Sequence, residues 1–317
     1  MKNIRMVLLL IIFSSIFIWT YSGGIKWGTP NLKRSRQIFK NEEELRKFVP
    51  QMVKMREEFY KKRSELYSDK GEIDKSQIKT KMDEVFWEHT GKVKVMDIIP
   101  RETILNAIRS YFISTNLSDE GQALFPLTSM NPGKLDFDPK FYVYGGLYYY
   151  FVGISLAIGK ILGFISLTHD IQHYFLNPEE TANIYTIIRT INILAILIGA
   201  IIVFKIARQI FKHRITATLC LFLFLISPIL FLQTHLSKPH AIAMLFLATG
   251  LLLIYQSFQT GNIKYEIAAA ISFGLSAALL VINLFFVIFF ITADIVRRKK
   301  LSFITYLCFF LAFAIPN

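Results

Sequence analysis

Two adjacent carboxylates, Asp119-Glu120, stand in a polar stretch that reads NLSDEGQALFPLTSMNPGKLDFDPKFYVYGGLYYY from Asn116 to Tyr150. A second acidic pair, Asp136 and Asp138, follows, and an aromatic, glycine-containing run then enters an apolar span. Carboxylates at the border between a polar loop and a membrane are costly to keep out of water. Their usual work there is to bind a metal or to take a proton. The bland reading of Asp119-Glu120 is a solvated loop pair, or a helix cap through Ser118 and Asp119. Asp138-Pro139 has its own bland reading as a turn and helix start.

Cations that could meet such acids, or an anionic substrate, lie further along. The segment HLSKPH (235–240) supplies His235, Lys238 and His240, and Lys140 directly follows Asp138-Pro139. Lysine and histidine are suited to phosphate. His169 and His173 are four apart, but only Asp170 stands near them, so they read as a surface turn and not as a metal site. There is no phosphate-binding glycine loop, dinucleotide fingerprint, nucleophile elbow or zinc signature.

The elements that position these groups are apolar. Of 317 residues 53% are hydrophobic and 15% aromatic, and the mean hydropathy is +0.42. Those values exclude a disordered chain and point to an integral membrane protein. The formal charge of +13 does not mark a nucleic-acid binder, because loop charges alternate in sign and no nucleic-acid module is present. Basic residues beside membrane spans fit cytoplasmic loops and contact with anionic membrane lipids. Cys220 and Cys308 both lie in apolar spans and read as packing residues.

Lys2 and Arg5 precede an apolar run with no small-residue cleavage site after it, so residues 1–22 read as a signal-anchor helix with a cytoplasmic N-terminus. Residues 23–141 form a long extracytoplasmic loop, and 142–317 a multi-span bundle. In the loop, Asn41–Tyr67 predicts an amphipathic helix, capped by Asn41 and carrying Leu45, Phe48, Val49 and Met52 on one face. Ile98–Phe112 predicts a second. These helices either lie on the membrane surface or pack together as a small domain. Further spans are expected near 142–167, 184–204, 215–234, 241–258, 267–295 and 301–316. The basic runs KIARQIFKHR and RRKK mark cytoplasmic loops. HLSKPH then lies on the side of Asp119 if 142–167 does not fully cross and 267–295 is broken near Asn283. Simple alternation of every span puts it on the other side. The apolar ending at Ile315-Pro316-Asn317 is consistent with a fragment of a longer protein.

The order of these segments resembles the GT-C superfamily of membrane glycosyltransferases, which includes protein O-mannosyltransferases and lipid A aminoarabinose transferases. SDEGQALFPLTSMNP resembles the family's acid-pair loop, and FDPKFYVYGGLYYY its aromatic entry to the next span. IIRTINILAILIGAIIVFKIARQIF resembles its arginine-bearing helix through Arg189. Leu117-Ser118 replaces the His-Pro common before the acid pair, and His240 stands where many relatives have an acid.

The resemblance implies an all-α, polytopic bundle in a plasma or inner membrane, working on the cell-envelope side. It implies an inverting transfer of a hexose or pentose from a polyprenyl-phosphate donor to an extracytoplasmic hydroxyl on protein, lipid or glycan. Asp119 is then the candidate base, and Glu120 orients the acceptor or holds a divalent cation such as Mg or Mn. Asp138, Lys140, Tyr144, Arg189, His235, Lys238 and His240 are the candidates for holding the donor and its lipid phosphate. The alternatives are a transporter or lipid flippase, and a non-catalytic scaffold with the same fold.

Overall fold

The computed structural model describes residues 15, 17, 19–54, 111–124, 126–128, 130–139, 144–168, 170–297 and 303–317. Lys140, His169, most of the expected first membrane helix and most of the second amphipathic helix lie outside them. The described residues are helical, with no strand beyond one isolated bridge between Asn131 and Asp136. In chain order the helices used below are α1 (Leu32–Ile38), α2 (42–54), α3 (Gly146–Ile161), α4 (Ile171–Leu176) and α5 (Pro178–Phe211). They continue with α6 (Arg214–Leu225), α7 (Pro228–Thr234), α8 (His240–Thr260), α9 (Ile263–Leu279), α10 (Val287–Arg297) and α11 (Phe303–Ala314).

The chain divides into two compact units. The smaller comprises 30–116 and 167–181. Asn41 caps α2 by accepting from Glu44 N at 2.8 Å, and Glu44 reaches back to Lys40 N at 2.9 Å, a reciprocal cap. The apolar face of α2 is covered: Leu45, Val49 and Met52 pack with Phe39, Phe112 and Phe175. The described part of this helix buries that face inside the smaller unit, and the second amphipathic helix expected at Ile98–Phe112 lies mostly outside the described residues. Asp170 caps α4 through Gln172 N at 2.9 Å.

The larger unit comprises 1–29, 117–166 and 182–317. Among the described residues α5 and α8 are each long and apolar enough to cross a membrane, and α6 with α7 makes a third span if the pair is counted as one. That pair bends by 55° at a break before Pro228, where the ring removes a helical donor. α5 begins with Pro178 and carries Glu179 and Glu180 in its first turn, both favourable at a helix N-terminus. α8 stops at Gly261, whose φ of 67° is the left-handed cap geometry, and Asn262 caps α9 through Lys264 N at 3.0 Å.

The expected span 267–295 is interrupted. α9 ends at Leu279, Leu280 is extended, and Val281–Phe286 forms a 3-10 turn before α10. Asn283 secures the break by donating to Ser276 Oγ at 2.9 Å, and Ser276 donates to Ala243 O on α8 at 2.9 Å. Below it Ala269, Ala270, Phe273, Ala277, Phe290 and Phe309 form a core shared by α9, α10 and α11. α3 has 16 residues, about 24 Å at ~1.5 Å per residue, which is short of the ~30 Å hydrocarbon core. Its start is pressed against other backbone. A Cβ on Gly145 would stand 1.7 Å from Ala278 O, and one on Gly146 would stand 2.3 Å from Pro316 O.

Candidate functional site

The acid pair sits on a single 3-10 turn, Ser118–Ala123. The turn is capped by Leu117 without a side-chain hydrogen bond, so Ser118 and Asp119 are not its cap. Because the two acids are adjacent, their side chains leave the turn in different directions. Glu120 is buried to 0% exposure, whereas the Asp119 side chain remains 56% exposed. Adjacent residues of the same chemistry therefore have opposite environments.

Glu120 is held from two sides. Arg189, itself 0% exposed, donates from Nε to Glu120 Oε1 at 3.2 Å and from Nη2 to Oε2 at 2.8 Å. The backbone N–H of Ser237 donates to Oε1 at 2.7 Å. Arg189 uses its remaining nitrogen, Nη1, on Ile25 O and Trp27 O, both at 2.7 Å. A guanidinium has five donors in a rigid fork, and here the fork ties the 25–27 segment to the acid pair. A divalent cation at Glu120 finds no support in this arrangement, because it would compete for oxygens that already receive three N–H donors. Among the described residues no group of three His, Cys, Asp or Glu is placed to hold a metal.

One turn along α5, Asn192 repeats the arrangement toward the next loop. Its Nδ2 donates to Leu236 O at 2.6 Å and to Lys238 O at 3.1 Å, and the side chain is fully buried. Residues three apart share a helix face, so Arg189 and Asn192 together fix three separate chain segments. Asn192, Ser237 and the carbonyls of Ile25 and Trp27 were not among the sequence candidates. The signal for Asn192 was an amide three positions after Arg189, on the same helix face and at the start of a long apolar run. The backbone groups leave no trace in residue type.

Lys238 is brought to the acids by this loop. Its Nζ donates to Asp119 Oδ2 at 3.0 Å, and its side chain is 20% exposed. HLSKPH and the acid-pair turn therefore meet. His235 is buried, with Nδ1 2.9 Å from Phe231 O and Nε2 3.1 Å from Gly23 O, so its ring bridges α7 to the turn at Gly23. His240 opens α8, half-buried, with Nδ1 buried and without a hydrogen-bond partner. Tyr148 Oη and Ser237 Oγ are likewise buried without partners.

Tyr144 precedes α3, and burial, then the charges of Asp119, Tyr149 and Glu120, push its phenol up to about 12. The phenol is a hydrogen-bond donor at neutral pH. Asp136 and Asp138 serve a local turn: Asn131 and Asp136 exchange backbone hydrogen bonds at 2.7 and 3.1 Å, and Asp138 N donates to Asp136 Oδ1 at 3.2 Å. Lys140 is outside the described residues.

Residues 183–317 match the dolichyl-phosphate-mannose-protein mannosyltransferase family. No curated protein and no solved structure matches the chain. The matched region holds Arg189, Asn192, Ser237 and Lys238. The acid pair precedes it and is joined to it by the contacts above.

Proposed function

We propose that this protein is a GT-C membrane glycosyltransferase, mannosyltransferase-like in kind, and that it moves a sugar from a polyprenyl-phosphate carrier to an acceptor hydroxyl outside the cytoplasm. The acceptor is a hydroxyl of protein, lipid or glycan. The observation that carries the reading is the division of labour in the acid pair: Glu120 is locked to Arg189, while Asp119 is open and 3.0 Å from Lys238.

Asp119 takes the proton of the acceptor hydroxyl as its oxygen attacks the anomeric carbon. The bond from that carbon to the phosphate oxygen breaks, and the lipid phosphate leaves with the electron pair. Attack opposite the leaving group inverts the anomeric centre. Lys238 is the nearest cation to Asp119 among the described contacts and meets the charge on the departing phosphate. His240 and Lys140 are further phosphate ligands in this scheme, and Tyr144 donates to the sugar. Glu120 and Arg189 act by position, holding Asp119 on a turn that cannot swing away.

The test is Asp119→Asn, assayed for sugar transfer from a polyprenyl-phosphate donor in reconstituted membranes. General-base catalysis is worth about 10²–10⁴-fold, and a loss of that size at unchanged protein level is expected. Wild-type activity in this variant would remove Asp119 as the base.

A further inference from the structure

A groove of about 720 Å³ runs between α3 and α5, with Lys26 at one end. We propose that it binds an acyl chain of an anionic phospholipid, whose headgroup phosphate rests on Lys26. This site is separate from the acid pair and goes beyond the transfer reaction. It assumes only that these helices face a bilayer.

The α5 wall presents Ile187, Ile191 and Leu194, and the facing wall presents Ile158, Leu162 and Phe164. The groove also contains three hydroxyls, which would ordinarily favour water. All three are used within their own helices: Ser155 donates to Phe151 O at 2.6 Å, Thr186 to Ala182 O at 2.8 Å, and Thr190 to Thr186 O at 2.8 Å. With those donors occupied, the walls offer a chain of methylenes little but apolar surface.

Length and exposure fit the same occupant. From Asn183 to Leu194, α5 rises about 16 Å at ~1.5 Å per residue, roughly half of the ~30 Å hydrocarbon core. That is the depth of one leaflet. Ile158, Leu162, Phe164 and Leu194 are exposed at the rim, so the groove opens onto the apolar belt of the protein. At its polar end Lys26 Nζ donates to Asn183 Oδ1 at 3.3 Å, which holds the amine over the mouth. The backbone beneath it is fixed, since Arg189 binds the carbonyls of Ile25 and Trp27 on either side of Lys26. A cation at the end of an apolar, leaflet-deep groove suits an apolar chain joined to a phosphate, and an anionic phospholipid is the bilayer component that carries both.

The experiment uses the full chain in bilayer nanodiscs containing phosphatidylglycerol or phosphatidylcholine with a photoreactive acyl chain. Labelling within 155–194 is expected to be ~5-fold stronger for phosphatidylglycerol, the ~1 kcal/mol that one lysine contributes toward anionic lipid. Lys26→Gln is expected to equalise the two lipids, and Lys26→Arg to keep the preference. Thr190→Trp fills the groove and should remove labelling by both. If it fails to fold, the Lys26 variants alone decide. Equal labelling in the unmodified chain would overturn the proposal, as would a preference that survives Lys26→Gln. Displacement by an unlabelled polyprenyl phosphate would overturn it too, assigning the groove to the donor lipid. Because the readout is labelling and not sugar transfer, its failure is distinct from failure of the proposed reaction.

Discussion

Arg189 and Glu120, 69 positions apart in sequence, form a two-point ion pair at 3.2 and 2.8 Å with neither side chain exposed. Desolvating two charges is expensive, and such a pair gains little over apolar residues of the same shape. Breaking it from one side is a different matter, because the survivor is left buried and unpaired. Arg189→Leu or Glu120→Leu is therefore expected to cost about 3–5 kcal/mol. The double variant should cost clearly less than the sum of the two. Thermal unfolding of all four proteins, read as a double-mutant cycle, measures the coupling. Additive losses would show that the two side chains do not depend on each other.

Lys238 and Asp119 form the contrasting pair, at 3.0 Å and partly in solvent. Exposed ion pairs contribute about 0–1 kcal/mol to stability, so Lys238→Met should unfold close to the unmodified protein. In the proposed reaction its effect belongs in catalysis. A hydrogen bond to a charged group is worth about 1.5–3 kcal/mol, or roughly ten- to a hundredfold in kcat/KM toward a lipid-phosphate donor. Lys238→Arg should recover part of the loss. Steady-state kinetics at varied donor concentration checks this, and an unchanged kcat/KM would take Lys238 out of the phosphate site.

How much of this was legible in the sequence depends on the kind of information each feature needs. The acid pair, the apolar spans and the cationic HLSKPH loop are local, so residue type and spacing expose them. The helical fold follows from the same patterns, and the break before Asn283 could be expected from one amide in an apolar run. The different environments of Asp119 and Glu120 could not. Adjacent acids look alike in one dimension, and only the approach of Arg189 and Ser237 N to one of them separates their roles. Asp136 and Asp138 show the reverse. Their acidity suggested chemistry, and in the turn around Asn131 the Asp136 carboxylate accepts from the backbone N–H of Asp138.

Tyr144 carries a prediction about pH. Its phenol is pushed up to about 12, first by burial and then by Asp119, Tyr149 and Glu120. An ordinary tyrosine titrates near ~10, so the folded chain favours the neutral phenol. That contribution to stability is fully present below pH ~10 and is lost as pH rises from there toward 12. Asp119→Asn removes the largest charge contribution and should lower the Tyr144 midpoint, leaving burial to hold it above the ordinary value. NMR titration of ring-labelled tyrosine, with Tyr144→Phe to identify the signal, reads both. An unmoved midpoint in Asp119→Asn would mean that the carboxylate and the phenol are not electrostatically coupled.

The start of α3 is fixed by contact and not by a cap. Gly145 has no side-chain capping bond. Its N–H donates to Leu279 O at 3.3 Å, and Gly146 N donates to Asn317 Oδ1 at 2.6 Å. A methyl group at Gly145 would fall 1.7 Å from the carbonyl oxygen of Ala278, which is backbone and cannot rotate away. Gly145→Ala must therefore move α3 or the end of α9, and forced overpacking costs about 1–3 kcal/mol or more. Gly153, in the middle of the same helix, is the control. Its added methyl would meet only Leu127 Cδ2 at 3.5 Å, an ordinary contact. There alanine should be neutral or stabilising by up to ~1 kcal/mol through helix propensity. Tyr144 adjoins Gly145, so a shift of α3 also moves a phenol that feels both Asp119 and Glu120. Thermal unfolding and transfer activity of Gly145→Ala should fall together, while Gly153→Ala leaves both in place. Equal behaviour of the two variants would show that the close approach at Gly145 does not hold α3 in position.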